Sequence, residues 1–430
     1  MLKTLGGFEW HIFFLLLSTT IITLIAFFHL LKDYRSKWII FSTMASVFLY
    51  SGLGISFSGV SNRYAINYIL FVVAFCIPFL LYNRKILPKQ NFSLLDRYLI
   101  SRYDLLKRIT FIYIILLLIP LVYPEFKLFN AFTVRDDYWN TIAFHRSNTI
   151  VSTVDMLALM LRPFFFVFIV CYLQRNPKGK KHLFLFLIVI LFSYTRLHYL
   201  GRNAWATYIV EFLLLAYCIK GFEVRIKKTH LAVVLIIVIL SIPLLYAQTY
   251  WRHGESIELN NLSYSYVASS LFVSEFSYPQ FYDTILNSES FSTYNPFDYI
   301  FYVLCIPIPS FIWPSKPSIG IADAFTYSMW GLQRGDTGFY ISLPSTLGEA
   351  FMFFGQDFSW VFALFSGFIV ATVIHYFCRH KTMVVYIFFL IIQSFTYGRG
   401  GTAGLMPMLL SGSIGVLIFD FYLRKTYKCT

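Results

Sequence analysis

Residues 10–37 read WHIFFLLLSTTIITLIAFFHLLKDYRSK, an apolar run closed by a short basic segment. Positions 10–31 contain no Asp, Glu, Lys or Arg. About 20 such residues cover the ~30 Å hydrocarbon core as a helix, so this stretch predicts a transmembrane span. The basic residues Lys32, Arg35 and Lys37 follow at once, marking a cytoplasmic end under the positive-inside bias. The same alternation recurs along the chain. With 58% hydrophobic residues, 13% charged residues and a mean hydropathy of +0.65, the composition is that of an integral membrane protein.

Spans are predicted near 10–31, 38–56, 65–82, 109–123, 150–173, 182–195, 203–219, 230–248, 357–378, 383–397 and 403–423. The expected fold is an all-α polytopic membrane protein of about 11 transmembrane helices, one integral domain over 1–430. Alternate connections hold 3 Lys/Arg in 32–37, 7 in 83–108, 4 in 174–181, 4 in 220–229, 2 in 379–382 and 3 after 423. These are 23 of the 35 basic residues, so every short connection assigned to the inside is basic. The N-terminus is then external and the C-terminus cytoplasmic. The net charge of +14 follows from this topology and gives no support to nucleic-acid binding. The first apolar run has span length and no small-residue cleavage site, so it is not read as a cleavable signal. No cysteine framework, zinc spacing or glycine-rich nucleotide loop is present, and no metal or cofactor is expected.

Residues 249–345 form the one large external insert, between spans 8 and 9. They carry 8 acidic and 3 basic residues, the reverse of the inner connections. The stretch 262–286 reads as a helix at the membrane surface. The apolar run 297–306 is too short to span and stops at Pro307 and Pro309. Beyond it, Leu343-Pro-Ser-Thr-Leu-Gly-Glu349 suggests a capping box in which Glu349 reaches back to the Thr346 backbone N–H.

Ionisable groups in or at the ends of spans are costly and mark candidate sites. Arg196 and Arg202 flank a short external turn, and Arg399 sits in a second one, Tyr397-Gly398-Arg399-Gly400-Gly401. Glycine beside Arg202 and Arg399 lets a ligand approach the backbone, and guanidinium suits phosphate oxygens. Arg196 also reads as a headgroup-snorkelling residue. Lys316, in Trp313-Pro314-Ser315-Lys316-Pro317, would add a point charge. Arg162 and Glu211 lie mid-span, and Asp155 is seven residues before Arg162 on the same helix face. A structural ion pair of Arg162 with Glu211 or Asp155 competes there with a substrate role, and Pro163 predicts a kink. Glu349 is the carboxylate best placed as a general base, with the capping box as its structural alternative. His253 is the candidate imidazole. Arg334, with Asp323 and Asp336, is a secondary candidate that also fits a solvated loop.

The run Pro309-Ser-Phe-Ile-Trp-Pro-Ser-Lys-Pro-Ser318, followed by Leu343–Glu349 and the stretch to Gly355, resembles the large periplasmic loop of Wzy-type polymerases. These are the bacterial O-antigen and oligosaccharide repeat-unit polymerases. Gly201-Arg202-Asn203 and Gly398-Arg399-Gly400 are similar to that family's membrane-edge arginine positions. The resemblance implies a metal-independent, GT-C-like glycosyltransferase with one large periplasmic loop, in the bacterial inner membrane. Its substrates would be undecaprenyl-pyrophosphate-linked oligosaccharides, the growing glycan moving onto a new lipid-linked repeat unit. Arg202 and Arg399 would hold the donor pyrophosphate and Lys316 would assist. A chain-length regulator and a flippase would be its neighbours in the membrane. Two rivals stand beside this reading. An O-antigen ligase shares the architecture, and His253 keeps it open. A flippase or transporter predicts internal repeats and small external loops, neither of which is found.

Overall fold

The computed structural model describes residues 9–32, 34–57, 62–83, 103–123, 148–176, 182–198, 278–287, 295–305, 320–333 and 342–378, with shorter pieces between 308 and 336 and between 394 and 421. Among these the regular structure is helical, with no strand. In chain order the helices are α1 (Trp10–Leu30), α2 (Tyr34–Val47), α3 (Asn62–Asn83), α4 (Tyr103–Leu118), α5 (Thr149–Arg175), α6 (Leu183–His198), α7 (Tyr282–Asn287), α8 (Pro296–Cys305), α9 (Ile321–Trp330), α10 (Ser345–Phe354) and α11 (Ser359–Cys378). The chain divides into two compact units, Met1–Gln90 with Glu275–Leu410, and Asn91–Ser274 with Ser411–Thr430.

Among the described residues four helical stretches are long and apolar enough to cross a membrane, Trp10–Leu30, Ser36–Ser56, Tyr64–Tyr82 and Tyr103–Val122, or up to six if each of two bent pairs is one span. They coincide with the first four predicted spans. The fourth begins six residues earlier than the apolar run at 109, because the helix continues through a polar turn holding Lys107 and Arg108. The predicted spans 203–219 and 230–248 lie outside the described residues, as does 383–397 except for its last positions.

In the first unit, α1 buries Ile12, Leu16, Thr20, Thr23 and Phe27, one stripe at helical spacing, and exposes Phe14, Ile21, Ile22 and Ile25. Its hydroxyls are not left bare. Thr19 and Thr20 donate to the carbonyls of Leu15 and Leu16, and Thr20 also pairs with the Tyr68 hydroxyl of α3 at 2.8 Å. α2 passes through a π-helical turn, Phe48–Gly52, and continues as Leu53–Phe57. α3 packs along α11, and the two backbones meet closely at Gly367.

α10 ends at Gly355, whose φ of +67° is open to glycine at little cost, and the chain turns by 113° into α11. Asn67 of α3 fastens this bend. Its amide donates to the Gln356 carbonyl at 2.7 Å and the Ser359 hydroxyl at 3.3 Å, and accepts from Gln356 Nε2 at 3.0 Å. The 20-residue α11 falls on the span predicted at 357–378, and the ten-residue α10 precedes it across the bend. The run expected at 297–306 forms α8, also ten residues and too short to span.

In the second unit, α4, α5 and α6 share a core of Tyr113, Leu117, Phe165, Phe166, Ile169 and Ile190. The Tyr113 and Ser193 hydroxyls hydrogen-bond within it. Asn148 caps α5, its side chain accepting the Ile150 and Val151 amides at 3.1 Å. α5 bends by 41° between Arg162 and Phe164, where Pro163 predicts a kink.

A Cβ at Gly367 would overlap the Phe75 carbonyl. Gly367→Val therefore should destabilise the α3–α11 packing by ~1–3 kcal/mol, the usual cost of overpacking. The check is the thermal unfolding midpoint in detergent, which should fall by several degrees, whereas Gly400→Ala, whose Cβ would make only an ordinary contact, changes it less.

Candidate functional site

α10 begins in an unusual way. Pro344 stands at its N-cap, and Ser345 takes a φ of +64°, a left-handed conformation that a non-glycine residue adopts only when its surroundings hold it there. The surroundings here are hydroxyls. The Ser345 Oγ pairs with the Tyr282 hydroxyl of α7 at 2.9 Å, receives the Ser51 hydroxyl at 3.4 Å, and accepts the Gly348 amide at 3.4 Å. Ser51 comes from the π-helical turn of α2, a type of irregularity found often at functional sites. Burial pushes the Tyr282 phenol up to about 12, its bonds to Ser345 and Ser51 offsetting part of that rise. Every residue of α10 from Ser345 to Met352 is buried, so this short helix is enclosed by protein.

The capping box does not form. α10 starts one residue before Thr346, and the residue at its N-cap is proline, which has no backbone N–H for a carboxylate to accept. Thr346 instead donates its hydroxyl to the Tyr397 carbonyl. Glu349 is fully buried and turned the same way. Its Oε2 accepts the Thr402 amide at 2.6 Å, and its Oε1 hydrogen-bonds the Thr402 hydroxyl. Thr402 in turn donates to the Tyr299 hydroxyl of α8 at 2.6 Å. Burial raises the Glu349 carboxyl to about 8, against the smaller opposing pull of the two Thr402 bonds.

The residues that receive these contacts carry Arg399. The expected short turn at 397–401 is a helical segment, 396–402, interrupted by Gly401 at φ +54°. It is held from two sides, since Ser46 of α2 accepts the Gly398 amide at 3.1 Å while α10 grips Tyr397 and Thr402. Arg399 is half-buried, and its Nε–H donates to the Tyr278 hydroxyl at 3.0 Å. The Tyr278 ring meets Tyr50 of the π-helical turn edge-on, with centroids 6.1 Å apart.

The glycines of this segment also need a different explanation from ligand access. A Cβ at Gly398 would overlap Ser46, and one at Gly401 would fall on Glu349 Oε2. Only at Gly400 is there room, the nearest atom being Leu343 Cδ1 at 3.7 Å. Two of the three glycines thus let protein approach protein.

The structure therefore brings Glu349 and Arg399 onto one assembly, although 50 positions separate them in sequence. Arg162, Asp155 and Arg196 belong to the second unit. Arg162 is fully buried on α5, its guanidinium 5.7 Å from the Phe166 ring centroid, and Asp155 is half-buried on the same helix. Arg196 lies within α6, which continues to His198, where a turn was expected. Arg202, Glu211, His253, Lys316 and Arg334 lie outside the described residues. Reading the sequence missed Ser46, Tyr278, Tyr299, Ser345 and Thr402. Thr402 closes the run Gly398-Arg399-Gly400-Gly401-Thr402 and was within sight of it. The others carry no local signal. No family model, curated protein or solved structure matches the chain.

Alanine substitutions separate these glycine roles. Gly401→Ala and Gly398→Ala should each lower the unfolding midpoint in detergent by several degrees, in keeping with an overpacking cost of ~1–3 kcal/mol. Gly400→Ala should leave it unchanged or raise it, since alanine is the better helix former. A Gly401→Ala protein as stable as the parent would contradict the placement of Glu349 against this backbone.

Proposed function

We propose that this protein is an oligosaccharide repeat-unit polymerase of the bacterial inner membrane. It transfers a growing glycan from undecaprenyl pyrophosphate to a lipid-linked repeat unit at the periplasmic face, in O-antigen, capsule or exopolysaccharide synthesis. In this proposal the chain has about eleven spans, an external N-terminus and 249–345 as its periplasmic loop.

One observation supports the reading most. Arg399 stands on a helical segment held at three backbone points, Tyr397 by Thr346, Gly398 by Ser46 and Thr402 by Glu349. A pyrophosphate leaving group needs positive charge fixed where negative charge develops, and pre-organisation makes such charge effective. Tyr278 takes one edge of the guanidinium, which orients the rest. The reaction is metal-independent in this proposal, Arg399 acting with Arg202, Lys316 and Arg196. The acceptor hydroxyl requires a base within hydrogen-bond reach, for which the sequence offers Glu349 and His253 and the enclosure of Glu349 favours His253.

The test is gel analysis of surface glycan from a strain lacking the protein and complemented with variants. Deletion should leave single repeat units, and Arg399→Ala should fail to restore polymer, removal of one such donor costing ~10²–10³ in rate. Normal ladders from Arg399→Ala in a correctly inserted protein would overturn the proposal. Polymer left unattached after deletion would indicate a ligase, and loss of all exported units a flippase.

A further inference from the structure

The contacts of the Glu349 carboxyl do not suit the role of a base. The group is enclosed, and both its oxygens are occupied by one residue, Thr402, through the amide and the hydroxyl. No cation among the described residues lies within ion-pair distance of it. An ionised carboxylate so placed is expensive, whereas a neutral carboxyl needs only the hydrogen bonds that are present. We propose that Glu349 serves as a neutral clamp, a positioning residue whose protonated carboxyl fastens Thr402 and thereby sets the helical segment that presents Arg399.

The proton count of the cluster is consistent with this. Thr402 has one hydroxyl proton and two oxygen neighbours, Glu349 Oε1 and the Tyr299 hydroxyl. In the neutral arrangement Oε1–H donates to Thr402, Thr402 donates to Tyr299, and Oε2 accepts the amide. Each polar atom has a partner and no charge is enclosed. The substitution Glu349→Gln would reproduce this pattern, the new side-chain carbonyl accepting the amide and the NH₂ donating to Thr402. The sign of the pH dependence follows. With the folded value at about 8 and the ordinary value at 4.5, the clamp is complete below 4.5 and is lost as pH rises through about 8. A general base would behave in the opposite way, gaining as pH rises.

Other titratable and charged groups surround the site. They are Tyr397 and Arg399 on the clamped segment, Tyr299 on α8, Tyr278 beside α7, Tyr282 and Asp283 on α7, Tyr50 on the π-helical turn and Tyr64 on α3. Phenols ordinarily titrate near ~10, above the window that matters. Asp283 accepts the Tyr64 hydroxyl, so its carboxylate is engaged with α3.

The inference deepens the proposed function, since it assigns Glu349 to the presentation of Arg399, but its test uses no substrate. Hydrogen exchange of the peptide covering 396–402 is measured in the full-length protein in detergent at pH 4 and 9, as the ratio of each variant to the parent. At pH 4 Glu349→Gln should be as protected as the parent, and Glu349→Ala about tenfold less, a local opening of the clamped segment. At pH 9 the parent should exchange faster than Glu349→Gln, with peptides from α1 unchanged. If Glu349→Ala does not fold, Thr402→Val, which removes one of the two partners, should show the loss at pH 4. Equal loss of protection in Glu349→Gln and Glu349→Ala, or protection that rises with pH in the parent, would overturn the clamp. Failure of Arg399→Ala to affect polymer would overturn the polymerase proposal and leave this result standing.

Discussion

The grip of Glu349 on Thr402 is the contact on which the described site depends. It joins a short buried helix, α10, to a segment 50 residues further along the chain, and it does so with a carboxyl that has no exposure. The surroundings are arranged to permit it. Gly401 takes a left-handed φ and gives up a side chain, which leaves room for Oε2. Thr402 partners both oxygens, its amide donating to Oε2 and its hydroxyl accepting Oε1–H, so that the carboxyl needs no counter-ion. A lysine or arginine in the same place would bring a second charge that must also be desolvated, and such pairs often cost more than they return.

Around that contact three irregularities meet. The π-helical turn of α2 brings Tyr50 and Ser51 to bear on Tyr278 and Ser345. Ser345 holds a backbone conformation that is strained for its type, and Gly401 interrupts a helix. Strain of this kind persists only where neighbouring contacts enforce it, and it gathers at sites where geometry matters more than stability. The result is one arginine, Arg399, whose backbone is held from α2 and α10 and whose side chain is held by Tyr278. Positioned charge of this sort is what a pyrophosphate-bearing substrate would require.

How much of this was legible in the sequence divides along physical lines. The helical membrane class followed from span-length apolar runs and basic connections, because burial in lipid leaves the backbone few alternatives. The bend in α5 was visible in Pro163, and the shortness of α8 in the prolines that follow it. Arg399 and Glu349 were visible as charges out of place. What the sequence did not reveal was their relation. The motif Thr346-Leu-Gly-Glu349 has the spacing of a capping box, but Pro344 at the N-cap has no N–H to receive the carboxylate. The glycines flanking Arg399 suggested ligand access, and two of them proved to serve packing against Ser46 and Glu349. These outcomes rest on contacts between distant segments, which local spacing does not encode.

The most direct measurement of the central claim is the protonation state of Glu349 itself. Infrared difference spectroscopy of the purified protein against Glu349→Gln isolates the carboxyl signal of this one residue. A protonated carboxyl band is expected at pH 7, absent from the variant, giving way to carboxylate as the pH passes about 8. A carboxylate signal already complete at pH 7 would contradict it.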